Sequence, residues 1–153
     1  YLILEDKSYT AKIQLGVATD TLDQEGEVIQ TKEVPELING ADDIILQNAL
    51  DCFRGGYSQT PPMYSALKKD GQPLYKLARS GISVERKARD IKIYSLECKN
   101  YDKKSHILDI KVKCSKGTYI RSLALDIAEK LGTVGHLIEL RRVAIGKFQE
   151  SDM

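Results

Sequence analysis

The sequence predicts an α+β domain in which a mixed, mainly antiparallel sheet packs against helices. Segments with the two-residue alternation of strands outnumber those with helical periodicity, and hairpin-type polar turns join most of the strands. The chain of 153 residues is long enough to bury one core, and its 42% hydrophobic and 29% charged residues are ordinary for a soluble globular protein.

Two strands are predicted near the start of the chain. Apolar and polar side chains alternate over residues 9–15, which indicates a half-buried strand that Gly16 ends. Residues 19–26 form a polar turn, and residues 27–31 form the second strand. The carboxylates of this turn lack the alternate-residue spacing of a calcium loop, so metal binding is disfavoured there.

The first predicted helix spans residues 44–53, after a connection over residues 35–40. Asp42 and Asp43 precede it, where carboxylates favour a helix N-terminus through the dipole. Two adjacent glycines follow the helix and end it.

The middle of the chain combines a strand, a turn and a short helix. Two prolines after Gln59 force an extended entry, and the following run up to Lys68 is interpreted as a strand. Residues 69–72 form a hairpin-like turn. Pro73 suits the first helical position, and Gly81 ends the helix.

Three more strands are predicted in the second half of the chain. Residues 91–101 and 107–114 pair around a turn at residues 102–105, and the second of these strands alternates cleanly. The last strand covers residues 137–148 and carries two adjacent arginines at its middle.

The clearest helix lies between these last two strands. Apolar residues recur with a period of 3.6 over residues 120–131, and Gly132 supplies the stop. Tyr119 and Arg121 therefore lie at the first turn, where strand, loop and helix meet. A phenol and a guanidinium on such a junction can bind a planar, anionic or partly anionic ligand. The alternative is a tyrosine that packs its ring and an arginine in water.

The formal net charge of +1 gives no argument for a nucleic-acid partner, so a site of that kind must come from local clustering. One basic cluster precedes the strand at 91–101. It is interpreted either as a solvated loop or as a phosphate contact. Its members are Arg86, Lys87, Arg89 and Lys92.

The cysteines have no CxxC spacing and lie in apolar contexts, which predicts reduced, buried thiols in a cytosolic protein. They are Cys52, Cys98 and Cys114. Neither a signal peptide nor an apolar run long enough to span a membrane is present in the sequence. The chain begins at Tyr1 directly in patterned sequence, as a fragment would.

Several familiar catalytic sites are excluded. The segment 115–118 lacks the upstream glycine of a phosphate loop, His106 and His136 have no spacing for zinc, and no serine lies in a nucleophile elbow. What remains is a site of Tyr, Arg, Lys and Leu side chains, without a metal. Such a set binds a flat base and a phosphate backbone better than it hydrolyses a substrate.

Five groups of motifs, in order along nearly the whole chain, carry a resemblance to a known family. They are Lys7-Ser-Tyr9 with Leu15-Gly16 and Thr19-Asp-Thr-x-Asp-x-x-Gly26; Phe53-Arg-Gly; Gln59-x-Pro-Pro-x-Tyr-Ser-Ala-x-Lys68 with Gly71, Leu74-Tyr75 and Ala78-Arg-x-Gly81; Cys114-Ser-Lys-Gly-Thr-Tyr-Ile-Arg121; and Leu140-Arg-Arg with Gly146-x-Phe148. By these motifs the chain resembles the central part of the bacterial tRNA pseudouridine synthases of the TruB family.

The resemblance implies a fold, an activity and a partner. The chain would be part of a pseudouridine synthase catalytic domain, and would isomerise one uridine in the T-arm of tRNA to its C-glycoside without a cofactor or metal. The target base is flipped into a pocket, an aspartate attacks, and the uracil detaches, rotates and rejoins through carbon 5. A cytoplasmic monomer that acts on the T-arm stem-loop, with no membrane partner, is expected.

The resemblance also implies roles for residues that match the motifs. Tyr9 would stack on the flipped uracil and is a candidate for moving the carbon-5 proton. Tyr119 and Leu140 would contact the base, and Arg121 would keep the catalytic aspartate ionised. Four further cations would bind the RNA backbone: Lys68, Lys116, Arg141 and Arg142.

One element of the family pattern is absent from this sequence. The catalytic aspartate of the family lies in a Gly-x-Leu-Asp-Pro-type motif, and no aspartate here lies in such a motif. Residues 1–153 are therefore interpreted as a partial catalytic domain that lacks this upstream segment and the C-terminal PUA domain. The chain alone is expected to be inactive, with Arg121 deprived of its main anionic partner. The alternatives are a non-catalytic RNA-binding module and an interaction domain whose motifs reflect fold alone.

Overall fold

The computed structural model describes residues 7–36, 38–63, 68–69, 71–81 and 84–143, with residues 68 and 69 described by their backbone alone. The elements in chain order are β1 (Lys7–Leu15), β2 (Val17–Thr19), β3 (Val28–Thr31), α1 (Ile44–Asp51), β4 (Tyr57–Gln59), β5 (Lys68–Lys69), β6 (Gln72–Pro73), α2 (Leu74–Arg79), β7 (Arg89–Ile91), β8 (Ile93–Asp102), β9 (Ile107–Cys114), α3 (Ile120–Lys130) and β10 (Gly135–Val143). The prediction of an α+β fold with a mainly antiparallel sheet is confirmed.

The largest sheet has four strands in the order β10-β1-β9-β8, and every neighbouring pair is antiparallel. The inward side chains of β1 and β9 alternate with outward ones, as predicted, and form the core with α3. Ile13, Leu108 and Leu123 are fully buried in that core. Because β1 lies between β9 and β10, residues on its inner face are held from both sides.

Helix α3 confirms the predicted period and stop. Its N-cap is Tyr119, and Gly132 adopts the left-handed conformation that ends the helix, with φ of +89°. The predicted α1 helix is also present, although it ends at Asp51. The carboxylate of Asp43 accepts the backbone N–H of Asn39 and, as the N-cap, that of Ile45, and these bonds lower the pKa of Asp43.

Several predicted boundaries are wrong. Thr19 belongs to β2 and not to a turn, since Gly16 bends the chain with φ of +96° and a new strand pairs with β3. The predicted strand 91–101 is broken at Lys92, whose backbone N–H bonds the Ser115 hydroxyl instead of a strand partner. Pro73 is the N-cap of α2 and not its first helical residue.

Two predicted strands extend beyond the described residues. Residues 64–67, in the run predicted as a strand after the prolines, lie outside the described residues. Strand β4 lies next to the prolines but precedes them in the chain. Residues 144–148 of the last predicted strand also lie outside, whereas β10 begins two residues earlier than predicted.

The prediction of three buried thiols is wrong for Cys52, which is exposed, whereas Cys114 is buried and Cys98 lies between these extremes. Leu46 and Leu50 form the buried face of α1, and Cys52 lies off that face at the C-cap. No helix in the described part of the chain is long and apolar enough to cross a membrane.

Gly135 lies where α3 packs against the sheet. A Cβ placed on it would be 2.9 Å from the Cβ of Ala128 and 3.0 Å from the carbonyl oxygen of Gln14. We therefore expect Gly135→Ala to lower the free energy of unfolding by about 1–3 kcal/mol, measured by urea denaturation. Gly40→Ala is the matched control, because a Cβ placed there would have no described atom within 4 Å beyond its two chain neighbours. Equal stability of the two variants would contradict this account of the packing.

Candidate functional site

A cavity of about 460 Å³ lies between the polar turn after β2, the first turn of α3 and the middle of β10. Its walls include the four side chains that the sequence assigned to catalysis and base binding. They are Tyr9, Tyr119, Arg121 and Leu140. The structure therefore brings together residues from three elements that lie up to 131 positions apart in the chain.

Tyr9 enters the cavity from β1, the strand flanked on both sides by others. It is half-buried, and its strand partners are Val112 on β9 and Arg142 on β10. Burial raises the pKa of the Tyr9 phenol, and so does the neighbouring Cys114. The positive charge of Arg142 lowers this pKa, but by less. The phenol is consequently protonated at neutral pH and can donate a hydrogen bond.

Tyr119 is half-buried and lies one residue before α3, in an extended conformation with φ of −96° and ψ of 112°. Its backbone N–H and carbonyl both bond the side chain of Gln59. The Arg89 guanidinium carbon lies 6.0 Å from the centre of the Tyr119 ring, within the range of a cation–π contact. One member of the basic cluster thus reaches the edge of the site.

Arg121 projects from the first turn of α3 toward the polar turn. Its Nη1 donates to the carbonyl oxygen of Thr21 at 3.1 Å and lies 4.0 Å from Oδ2 of Asp23. Although the sequence lacks the expected anionic partner of Arg121, the guanidinium therefore still faces a carboxylate, that of Asp23. The side chains of Arg121 and Asp23 are 23% and 27% exposed, so water screens this ion pair only in part.

Asp23 is the functional candidate that the sequence reasoning missed. Its Oδ1 accepts from the Thr21 hydroxyl at 2.6 Å and from the backbone N–H of Glu25 at 3.0 Å, which leaves Oδ2 toward Arg121. The turn is fixed against β10 because the Leu137 N–H donates to the Leu22 carbonyl. The Thr-Asp-Thr-x-Asp spacing was a signal, since the Thr19 hydroxyl donates to the backbone carbonyl of Asp23 and the Thr21 hydroxyl to its carboxylate.

The two arginines of β10 lie on opposite faces of the sheet. Residues paired across antiparallel strands share a face, and Arg142 pairs with Tyr9 whereas Arg141 pairs with Thr10. Arg141 lies 3.4 Å from Glu139 and is largely exposed. Only Arg142 therefore shares the face of the site.

The remaining predicted RNA-binding residues lie elsewhere or outside the description. Lys116 is exposed in the loop before α3 and lines a second cavity of about 480 Å³ with Arg89 and Tyr94. Arg89 also donates to the carbonyl of Gly117 at 3.2 Å. The side chain of Lys68 lies outside the described part of the structure.

The chemistry of the site follows from these groups. It offers aromatic rings for stacking, a neutral phenol that can donate a hydrogen bond, and a cation fixed by a backbone carbonyl and a carboxylate. Within the described ranges, no group of three or more His, Cys, Asp and Glu side chains could hold a metal ion. The arrangement suits a flat, partly anionic ligand.

Comparison with known proteins gives consistent matches. A family model described as TruB family pseudouridylate synthase (N terminal domain) matches residues 1–120, and a second, described as tRNA pseudouridylate synthase B C-terminal domain, matches residues 121–153. The tRNA pseudouridine synthase B of Francisella tularensis subsp. novicida (strain U112) is 55% identical over 99% of this chain and 49% of its own length. That of Francisella philomiragia is 53% identical over 97% of this chain and 48% of its own length. The chain thus spans about half the length of these curated relatives.

Two solved structures extend the comparison. One chain of a Cbf5-Nop10-Gar1 complex matches 94% of this chain and 31% of its own length, with a TM-score of 0.59 and 27% identity. A chain of an H/ACA RNP bound to a substrate RNA containing 2'-deoxyuridine matches 94% and 29%, with a TM-score of 0.53. Its 24% identity indicates likeness of fold alone.

Proposed function

The chain belongs to the TruB family of pseudouridylate synthases, and from that membership we propose that it serves the isomerisation of a uridine in tRNA to pseudouridine. The observation that supports this most directly is the cavity shared by Tyr9, Tyr119, Arg121 and Leu140. Within tRNA, the proposed substrate is the T-arm stem-loop. The proposed protein is a cytoplasmic monomer that needs neither cofactor nor metal.

Each pocket residue has a part in this proposal. The uridine leaves the base stack at a cost of a few kcal/mol, and its uracil lies on the Tyr9 ring beside Tyr119 and Leu140. The bond from C1′ to N1 breaks and a bond from C1′ to C5 forms. The C5 proton is lost and N1 gains one, so the net reaction needs no oxidant or reductant. We propose that the Tyr9 oxygen accepts the C5 proton while its own O–H proton passes to water, because burial keeps the resting phenol protonated.

Arg121 has an electrostatic part. The family resemblance implies an aspartate nucleophile from a motif that this sequence lacks, and a guanidinium next to such a carboxylate lowers its pKa and keeps it ionised. Thr21 and Asp23 hold the guanidinium toward the cavity. Asp23 is therefore proposed as a positioning residue for Arg121, not as the nucleophile.

Residues 1–153 are proposed to form part of one catalytic domain. The two family models meet between residues 120 and 121, at the start of α3. One core cluster nevertheless contains residues from both sides of that boundary, among them Ile13 and Ile127. A shared core is what defines a single folding unit.

The experiment that tests the function uses the complete gene product and a tRNA transcript that carries tritium at C5 of its uridines. We expect one equivalent of tritium released per tRNA, and none from a transcript whose T-loop uridines are replaced by cytidine. RNA binding without release would favour the non-catalytic RNA-binding module. Absence of both would favour the interaction domain. The 153-residue chain assayed in parallel tests the expectation that it is inactive alone.

Arg142 is expected to contribute to tRNA affinity more than Arg141, because only Arg142 shares a face with Tyr9. Arg142→Gln should weaken tRNA binding several-fold and reduce the slope of log K against log salt by about one unit. Arg141→Gln is the matched control on the adjacent position. Equal losses of affinity in both variants, measured by filter binding over a salt series, would contradict this assignment.

A further inference from the structure

Gln59 is almost completely buried, with 2% of its surface exposed, and its side-chain amide bonds the backbone of Tyr119 at both polar groups. The Tyr119 N–H donates to Oε1 at 2.8 Å, and Nε2 donates to the Tyr119 carbonyl at 3.1 Å. The second N–H of Nε2 donates to the Tyr57 hydroxyl at 2.8 Å. Both donors of this amide are thereby used.

The orientation of the amide follows from its partners. An N–H group needs an acceptor and a carbonyl needs a donor, so Oε1 must face the Tyr119 nitrogen and Nε2 its oxygen. This pair of bonds imitates one rung of an antiparallel ladder and favours the extended conformation seen at Tyr119. Tyr119 has no side-chain cap bond of its own, so Gln59 supplies the contact that fixes this N-cap.

The bonds of Gln59 belong to a longer seam between residues 57–60 and one face of α3. The Ser122 hydroxyl donates to the Thr60 carbonyl at 2.9 Å, and the Tyr57 hydroxyl donates to Oδ2 of Asp126 at 2.7 Å. Tyr119, Ser122 and Asp126 lie three and four residues apart, which places them along one side of the helix. Burial raises the pKa of both Tyr57 and Asp126, which are half-buried in the wall of a cavity of about 420 Å³.

Gln59 is the member of this seam that reaches the residues of the cavity. Its partner Tyr119 lines the cavity, and Arg121 follows two residues later in the first turn of α3. A rotation of the Tyr119 backbone would therefore move the Tyr119 ring and the backbone that carries the Arg121 side chain together.

We propose that Gln59 is a positioning residue for uridine isomerisation, which holds the backbone of Tyr119 so that the Tyr119 ring and Arg121 face the flipped base. This assignment rests on the proposed function of the chain. Gln59 is not itself among the residues that line the cavity. Its effect is on the geometry of the transition state, where a misplacement of about 1 Å can cost about 100-fold in rate.

The test uses Gln59→Glu in the complete gene product. The carboxylate of glutamate keeps the shape of the side chain and the acceptor for the Tyr119 N–H. Its second oxygen replaces Nε2, so the Tyr119 carbonyl loses its donor and faces another oxygen instead. We expect kcat for pseudouridine formation at pH 8 to fall about 10-fold to 100-fold, with tRNA affinity within about three-fold of wild type. When the introduced carboxyl group is protonated, its O–H can donate to that carbonyl, so the deficit should shrink as the pH is lowered toward about 6.

Ser122→Ala is the control for a merely structural role, since it breaks a bond of the same seam without touching Tyr119. We expect this variant to lose stability in urea while its kcat per folded protein stays at the wild-type value. If Gln59→Glu does not fold, Gln59→Met, which keeps the length without ionising, is assayed in its place. Hydrogen exchange of the Tyr119 amide in the wild-type protein gives a further measure, and strong protection is expected.

The outcomes separate the two proposals. A wild-type protein that makes no pseudouridine refutes the proposed function, and the role of Gln59 with it. Wild-type turnover together with an unchanged kcat in the Gln59 variant, a deficit of Gln59→Glu insensitive to pH, or a rapidly exchanging Tyr119 amide overturns the role of Gln59 alone.

Discussion

We expect Arg121→Lys to lower kcat for pseudouridine formation by about 100-fold or more while tRNA affinity stays within a few-fold of wild type. Lysine keeps the positive charge but has a single donor head on a flexible stem. It cannot donate to the Thr21 carbonyl and face Asp23 with the planar geometry that the guanidinium has. The attraction for RNA phosphates depends on charge and is retained.

The same substitution at Arg141 is the matched control. Arg141 lies on the opposite face of the sheet beside Glu139, so Arg141→Lys should leave kcat unchanged. Single-turnover rates at saturating enzyme separate the chemical step from tRNA binding. A wild-type rate in Arg121→Lys would refute the electrostatic role, and so would a loss of affinity as large as the loss of rate.

Tyr9→Phe is expected to lower kcat by about 100-fold to 10,000-fold, the range associated with losing a positioned acid or base. Phenylalanine keeps the ring that would stack on uracil, so tRNA affinity should change little. Burial raises the pKa of the Tyr9 phenol, so this group is protonated below and above neutral pH in the wild-type protein. The rate deficit should therefore be nearly constant between about pH 6 and pH 8.

Tyr101→Phe controls for the loss of a tyrosine hydroxyl from the same sheet. The Tyr101 hydroxyl lies 3.2 Å from Nδ1 of His106 at the far end of β8, and its removal should leave kcat unchanged. The measurement is tritium release from C5 under single-turnover conditions. Equal rates for Tyr9→Phe and wild type would show that the phenol moves no proton, and would leave Tyr9 with stacking alone.

Much of the local structure follows from periodicity. The apolar period over residues 120–131 and the glycine after it predict α3, and alternation over residues 107–114 predicts β9 with its buried face. These signals are reliable because each element buries one face against the core, and burial selects the residue types on that face. The exposed Cys52 shows the limit, since an apolar neighbourhood in sequence does not specify the side of a helix.

The placement of Arg141 and Arg142 on opposite faces depends partly on the sequence and partly on the tertiary structure. Adjacent residues of a strand must point to opposite faces, which the sequence already implies. The face that carries the site depends on the pairing of Arg142 with Tyr9, and thus on the register between β10 and β1. A shift of that register by one residue would exchange the two arginines.

The fold class, the junction of loop and helix at Tyr119, and the family motifs behind the functional proposal can all be derived from residue patterns along the chain. The contacts of Arg121 with Thr21 and Asp23, and the hydrogen bonds that join Gln59 to Tyr119 across 60 residues of chain, are seen only in the folded molecule. Helices and strands arise from patterns among near neighbours. A polar contact between distant segments depends on how the whole core packs, and no local pattern encodes that packing.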